Sequence, residues 1–225
     1  KDKNILFSII YRIARHFPLS DQSKLRLFMD LDWIFKRLAH EWLYAKSNKD
    51  ALNLFPSNEF LKQVVPDRCQ VLDVGCGRGY SYHIINDRIR KYTGVDKNSE
   101  SLAYAKDAIK THDAEFVCDD LYHFLNTTKD TYDVVILAHI LEHLENPASV
   151  LASLVPYAKH FYIEVPDFDT TPHNHIRVGL NSPFIYTDED HVREFDRIEL
   201  SNLIEDAGLE ILECEYRYGF MRYWC

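Results

Sequence analysis

From residue 70 onward the apolar positions change period in a regular alternation. Short apolar runs of strand length fall at residues 70–74, 92–95, 115–118, 132–138, 160–165 and 210–217. Between them lie stretches in which apolar residues recur every three or four positions, as Ile84, Ile85 and Ile89 do across residues 80–90. Further helices are expected over 99–110, with Ser99 as cap, and after Asn146, with Pro147 at the first helical position. Another is expected over 197–207, with Asp196 ahead of it and Gly208 as its stop. Alternating strands and helices predict an α/β fold, a mostly parallel sheet with helices on both faces. Gly219 ahead of residues 220–224 predicts a closing hairpin that adds one antiparallel strand.

Two stretches depart from this scheme. Residues 1–55 carry no strand signal. Ile5, Ile9, Ile13 and Phe17 make one helical stripe, and Phe28, Leu31, Phe35, Leu38 and Trp42 make another. A helical N-terminal cap is therefore expected over 1–55 and the α/β domain over 56–225. Residues 166–190, rich in Pro, Asn, Asp, Thr and His, read as a long loop, and loops of that length are usually functional or mobile.

Composition narrows the partners. With 46% apolar and 27% charged residues among 225, the chain has the makeup of a folded domain. The 35 Asp and Glu outnumber the 26 Lys and Arg, and the resulting net charge of -9 makes a nucleic-acid backbone a poor partner, so no nucleic acid is expected. No apolar run approaches the roughly 20 residues that span a bilayer, so no stable membrane insertion is expected. Arg12 and Arg15 interrupt the apolar start, and no small-residue cleavage site follows, which argues against a signal peptide. Five cysteines, odd in number and without a C-x-x-C pair, are read as reduced thiols in the cytoplasm.

Glycine marks the candidate chemistry. Of only seven glycines, Gly75, Gly77 and Gly79 fall within five positions, directly after the run ending at Val74 and before a helical pattern. Such a loop lets backbone approach a ligand where a side chain would collide. In an open parallel sheet the ligand is expected at the carboxyl ends of the strands, with an acidic residue at the end of the next strand holding ribose hydroxyls, and Asp96 stands there. The loop is not the G-x-x-x-x-G-K-[ST] of nucleoside triphosphate sites. It also departs from the dinucleotide pattern G-x-G-x-x-G, because the third glycine comes one residue early.

Four segments in order, Val71-Leu-Asp-Val-Gly-Cys-Gly-Arg-Gly79, Gly94-Val-Asp96, Phe116-Val-Cys-Asp119 and Asp133-Val-Val-Ile-Leu-Ala-His-Ile-Leu-Glu-His143, resemble the motifs of class I S-adenosylmethionine-dependent methyltransferases. The nearest likeness is to the small-molecule group that includes ubiquinone-biosynthesis-type enzymes, from about residue 65 to the end. The resemblance implies a Rossmann-like, seven-stranded sheet. It also implies a cofactor site in which Asp73, Gly75, Cys76, Gly77 and Gly79 line the methionine part of S-adenosylmethionine, with S-adenosylhomocysteine as product. Asp96, with Lys97 beside it, would take the ribose hydroxyls; Asp119, Asp120 and Leu121 would border the adenine; Ala138 and His139 would face the methionine side. Cys118 stands where glycine is frequent in that family.

The reading that follows is an enzyme moving a methyl group to a small-molecule acceptor, with oxygen the favoured acceptor atom. A non-catalytic S-adenosylmethionine-binding regulatory protein and an NAD-dependent oxidoreductase are the alternatives. His143, His139 and His191 are the candidate general bases, in the order His143 first. No metal site is assigned, because His173 and His175 in the 166–190 loop, with Asp167, Asp169 or His191 near, lack a ligand set fixed by spacing. Cys76 has no identifiable base beside it and is read as a small residue. The N-terminal segment and the 166–190 loop hold the unassigned aromatics Trp33, Phe35, Trp42, Tyr44, Phe168, Phe184 and Tyr186, and together they are expected to form the acceptor pocket. A homo-oligomer stays open.

Overall fold

The computed structural model describes residues 5–46, 59–188 and 190–225, with backbone alone at 6, 7, 40 and 43–46. The expected boundary between residues 55 and 56 and the side chain of Tyr44 lie outside the described residues. The chain divides into two compact units, one within Lys1–Asn48 and Thr171–Ile185, the other within Lys49–Thr170 and Tyr186–Cys225.

The larger unit is built on seven strands: β1 (Cys69–Val74), β2 (Ile89–Asp96), β3 (Ala114–Cys118), β4 (Tyr132–Ala138), β5 (Ala158–Pro166), β6 (Glu213–Arg217) and β7 (Phe220–Trp224). Their order in the sheet is β3-β2-β1-β4-β5-β7-β6. The first five are parallel, and β7 runs antiparallel to both neighbours. The expected α/β class is thus observed, hairpin included. Tyr218 and Gly219, both with positive φ, make a two-residue turn between β6 and β7, whose backbone twist matches that of the strands it joins.

Because successive strand residues point to opposite faces, each central strand feeds two cores. Leu72, Val135, Leu137, Phe161, Ile163 and Tyr223 pack on one face with Val150, Leu151, Leu200 and Ile204 from the covering helices. Val71, Val134, Ile136 and Tyr162 pack on the other with Phe60, Leu61, Ile85, Leu102 and Ala105. Fully burying one such aliphatic side chain contributes about 1.5 to 3 kcal/mol, so apolar density in β1 and β4 fixes their place at the centre.

Two expected helices of this unit come out differently, and two more, over Glu59–Val64 and Leu121–Thr127, are additional to those expected. In chain order after α1 (Ile5–Arg15), α2 (Asp21–Lys46) and α3 (Glu59–Val64), helix α4 spans only Tyr80–Ile85. The Arg88 amide closes a turn on the Ile85 carbonyl at 2.8 Å, and Ile89 opens β2 opposite Cys69, so its spacing from Ile85 was strand packing in helical guise. Helix α5 (Ser99–Ala108) is capped by Asn98, whose side chain accepts from the Glu100 and Ser101 amides at 3.1 and 3.0 Å, rather than by Ser99. Helix α6 (Leu121–Thr127) follows β3. Asn146 caps α7 (Pro147–Leu154) as expected.

The stretch 166–190 is no continuous loop. Thr171 caps a helix, α8 (Pro172–Gly179), with Pro172 at its first position, where a missing N–H costs nothing. Helix α9 (Arg197–Asp206) is the last, closed at its start by a capping box between Asp196 and Glu199.

The smaller unit holds α1, α2 and α8. Asp32 of α2 receives His173 Nδ1 at 3.1 Å and the buried Arg177 at 3.3 Å, and Asp30 accepts from Ser182 Oγ at 2.7 Å. Trp33 stacks on Phe184 with ring centroids 5.1 Å apart. The N-terminal helices and the stretch after Thr171 therefore meet in one unit. His173 is engaged with a carboxylate inside it. The α1 stripe faces solvent, with Ile5 74% exposed. Among the described residues no helix is long and apolar enough to cross a membrane.

Candidate active site

At the carboxyl end of β1 the chain turns sharply three times. Gly75, Gly77 and Gly79 all have positive φ, a region that side-chain-bearing residues rarely enter. A Cβ at Gly75 would lie 1.9 Å from Ile140 Cδ1, and one at Gly79 would lie 2.6 Å from Ile109 Cδ1. At Gly77 a Cβ would meet no protein atom within 4 Å, so that glycine borders open space. Cys76 is buried, and a Cβ at Gly94 of β2 would come 2.7 Å from its sulfur. Burial pushes its thiol well above the ordinary range, so it packs and does not attack.

Asp73, at the end of β1, is only 2% exposed and takes hydrogen bonds from Tyr92 and Ser81. Burial pushes its carboxyl up to about 7, against those two bonds. The folded chain therefore holds a proton here that the unfolded chain has lost. The cost is absent below the unfolded value near 4 and grows until about pH 7, at about 1.4 kcal/mol per unit of difference. Asp73→Asn is expected to gain melting temperature relative to the parent as pH rises from 4 to 7, measured by calorimetry without ligand; parallel profiles would show that Asp73 is not buried as an acid.

Asp96 ends β2, and its carboxylate spans the glycine loop and the next helix. One oxygen accepts from the Gly77 amide at 2.8 Å and the other from the Asn98 amide at 2.7 Å. Each oxygen keeps a second lone pair. Lys97 follows it on the surface. After β3, Asp119 accepts from His123 Nδ1 at 2.7 Å and from the Asp120 amide at 2.8 Å. Asp120 is the cap of α6, accepting from the Tyr122 amide at 2.9 Å, and Leu121 packs against the core behind it.

Beyond Ala138, the last residue of β4, His139 adopts positive φ. Its Nδ1 lies 3.2 Å from Glu142 Oε1 and its Nε2 lies 3.2 Å from Glu164 Oε1 of β5. Burial works against charge on this ring, but the two carboxylates outweigh it and raise it to about 9. Glu164 is likewise opposed by burial, yet His139, Arg222 and Tyr162 hold it down near 2. Arg222 of β7 sits opposite Glu164 in the sheet register and donates to it from Nε at 2.8 Å and to Glu215 of β6 from Nη1 at 2.7 Å.

One turn further, His143 and His191 meet edge to face with centroids 4.8 Å apart. His143 Nδ1 faces the Asp190 carbonyl at 3.2 Å, and His191 Nδ1 faces Glu194 at 3.0 Å and Thr187 Oγ1 at 3.1 Å. The amides of Val192 and Arg193 bind the Glu142 carbonyl and fix this segment to the turn after β4. Glu142 is completely buried, and its Oε2 has no hydrogen-bond partner among the described residues. A carboxylate oxygen of Glu142 and one ring nitrogen each of His143 and His191 lie within 4.8 Å of one another.

The glycine loop, Asp96 and the turn after β4 all sit at the carboxyl ends of β1, β2 and β4, on either side of the point where the strand order reverses. That crevice is where doubly wound sheets bind nucleoside-containing ligands. A family profile described as a methyltransferase domain matches residues 34–214. The chain belongs to this family, the class I S-adenosylmethionine-dependent methyltransferases, and S-adenosylmethionine is the cofactor of the class. A probable S-adenosylmethionine-dependent methyltransferase of Mycolicibacterium smegmatis is 26% identical over 167 residues, 70% of this chain and 59% of that protein. A ubiquinone biosynthesis O-methyltransferase of Saccharophagus degradans is 29% identical over 82% of this chain and 84% of its own length. Of the first two curated relatives, the chain spans about three fifths of the length. Among solved structures, the plantazolicin methyltransferase BpumL with S-adenosylhomocysteine matches with TM-score 0.55 at 18% identity, covering 89% of this chain and 97% of that one. Its match shows the shared fold.

Tyr92, Glu142, Glu164 and Arg222 join this site without having been singled out beforehand. A signal was present for two of them: Glu164 and Arg222 are lone charges inside the apolar runs Phe161-Tyr-Ile-Glu-Val165 and Phe220-Met-Arg-Tyr-Trp224. Opposite charges in two strands are best buried as a pair.

Proposed function

We propose that the chain transfers the methyl group of S-adenosylmethionine to a hydroxyl oxygen of a small-molecule acceptor. The observation that carries this reading is the braced pair His143 and His191 at the same strand edge as the glycine loop and Asp96. The residues present suit the cofactor. Three left-handed glycines open the loop backbone, Gly77 borders free space, and Asp96 keeps lone pairs for two ribose hydroxyls. When bound, S-adenosylmethionine supplies an electrophilic methyl on a sulfonium that leaves readily. The chain then has to align the acceptor, exclude water and take one proton. The names of relatives such as the Saccharophagus degradans O-methyltransferase support oxygen as the acceptor atom. The five cysteines, all free, support a reducing cytoplasmic setting.

His143 is assigned the proton. Its Nδ1 is held by Asp190, which leaves Nε2 to face a ligand. His191 is the weaker candidate: burial opposes its charge, but the bond to Glu194 prevails and raises its pKa, so it stays protonated further up the scale. Asp119 and Asp120 are assigned to the adenine side. His143→Gln is expected to lower kcat at pH 7 by about 100-fold or more while S-adenosylhomocysteine affinity stays within a few-fold. A variant turning over within a few-fold of the parent would mean that alignment alone suffices.

A further inference from the structure

Each described carboxylate next to His139 offers oxygen lone pairs, and both ring nitrogens point at one: Nδ1 at Glu142 Oε1, Nε2 at Glu164 Oε1, each at 3.2 Å. A neutral imidazole has one donor nitrogen and one acceptor, and only the imidazolium donates from both. The contacts continue in alternating sign: Glu142, His139, Glu164, Arg222 and Glu215, drawn from the turn after β4 and from β5, β7 and β6. Tyr162 adds its hydroxyl to Glu164, and the ring of Phe220 stands edge-on to the imidazole at 5.1 Å. Although 41% of the His139 side chain is open, its two polar atoms are committed.

We propose that His139 is a fixed imidazolium and a positioning residue, held by the Glu164–Arg222 pair, and that it shapes the cofactor loop instead of accepting a proton in methyl transfer. The mechanical path is short. His139 keeps its left-handed backbone because its ring is tied at both ends, and Ile140, the next residue, fills the space that a Cβ at Gly75 would need. Releasing the ring lets Ile140 shift against the first turn of the glycine loop. Arg222 matters because Glu164 otherwise carries a buried charge with one partner fewer, and with the Phe220 ring it joins β7 to the turn. This inference rests on the methyltransferase reading for its consequence, but the charge state of the ring stands apart from it.

The test is nitrogen-detected NMR on the full chain with ¹⁵N-labelled histidine, together with S-adenosylhomocysteine titration. One histidine should remain doubly protonated at pH 8, and its signal should vanish in His139→Gln. In Arg222→Met that ring, relieved of a nearby cation while Glu164 stays ionised, should keep its second proton at least as far up the pH scale, and affinity for S-adenosylhomocysteine should fall about tenfold, with Arg222→Lys recovering most of it. His139→Gln should weaken cofactor binding similarly and leave the pH dependence of kcat unchanged in shape. A neutral His139 at pH 8 in the parent overturns the proposal. So does a His139→Gln variant that binds cofactor normally but has lost kcat and one limb of its pH profile, the behaviour of a base. If the parent binds no S-adenosylhomocysteine, the function proposed above fails, while the NMR result still decides the charge state.

Discussion

Asp96→Ala should bind S-adenosylhomocysteine at least about 100-fold more weakly than the parent in calorimetry. The two charge-assisted hydrogen bonds to ribose hydroxyls proposed for this carboxylate would contribute about 1.5 to 3 kcal/mol each, and about 1.4 kcal/mol is a factor of ten. The carboxylate has a second task, because it also accepts from the Gly77 and Asn98 amides and so holds the glycine loop against the start of α5. Asp96→Asn separates the two tasks: its amide oxygen can still brace one backbone N–H, while its NH₂ can only donate. If Asp96→Asn binds like the parent, bracing is the main contribution of this residue; if it binds like Asp96→Ala, recognition of the ribose is. Unchanged affinity in a folded Asp96→Ala chain would remove the cofactor assignment altogether.

Gly75→Val should abolish measurable cofactor binding and lower thermal stability as well. The new side chain meets Ile140 at a distance no contact tolerates, and φ of +68° adds strain that a β-branched residue meets worst. Gly77→Val differs in kind. No protein atom lies near its Cβ, so beyond the strain of positive φ it projects into the space assigned to the ligand. Its loss of affinity should exceed its loss of melting temperature, whereas at Gly75 both fall together. Equal behaviour of the two variants would mean that the open side of the loop is not where the cofactor lies.

The centre of the sheet was legible because β1, β4 and β5 are buried on both faces and so read as nearly unbroken apolar runs. Residues 132–138 and the caps Asn146 and Asp196 have the bounds that pattern and capping chemistry indicate. Ile89 misled because three- and four-residue spacing also arises where a helix ends and a strand soon begins. Helix α8 was hidden by the polar composition of its surroundings, although Thr171 followed by Pro172 is a start signal in its own right. The glycine loop and its place between β1 and α4 could be read from local spacing alone. The charge chain from Glu142 to Glu215 could not, since its members lie on four segments whose adjacency depends on β7 inserting between β5 and β6. Likewise the pairing of His143 with His191 depends on the backbone bonds that Glu142 accepts from residues 192 and 193.

The most direct measurement is incubation of the full chain with methyl-labelled S-adenosylmethionine and an extract of small metabolites, following label and S-adenosylhomocysteine together by mass spectrometry. The account predicts a labelled product carrying the methyl group on oxygen, formed one for one with S-adenosylhomocysteine and suppressed in His143→Gln. Tight binding of S-adenosylmethionine with no labelled product and no S-adenosylhomocysteine formed would contradict it, and would leave a protein that binds the cofactor without using it.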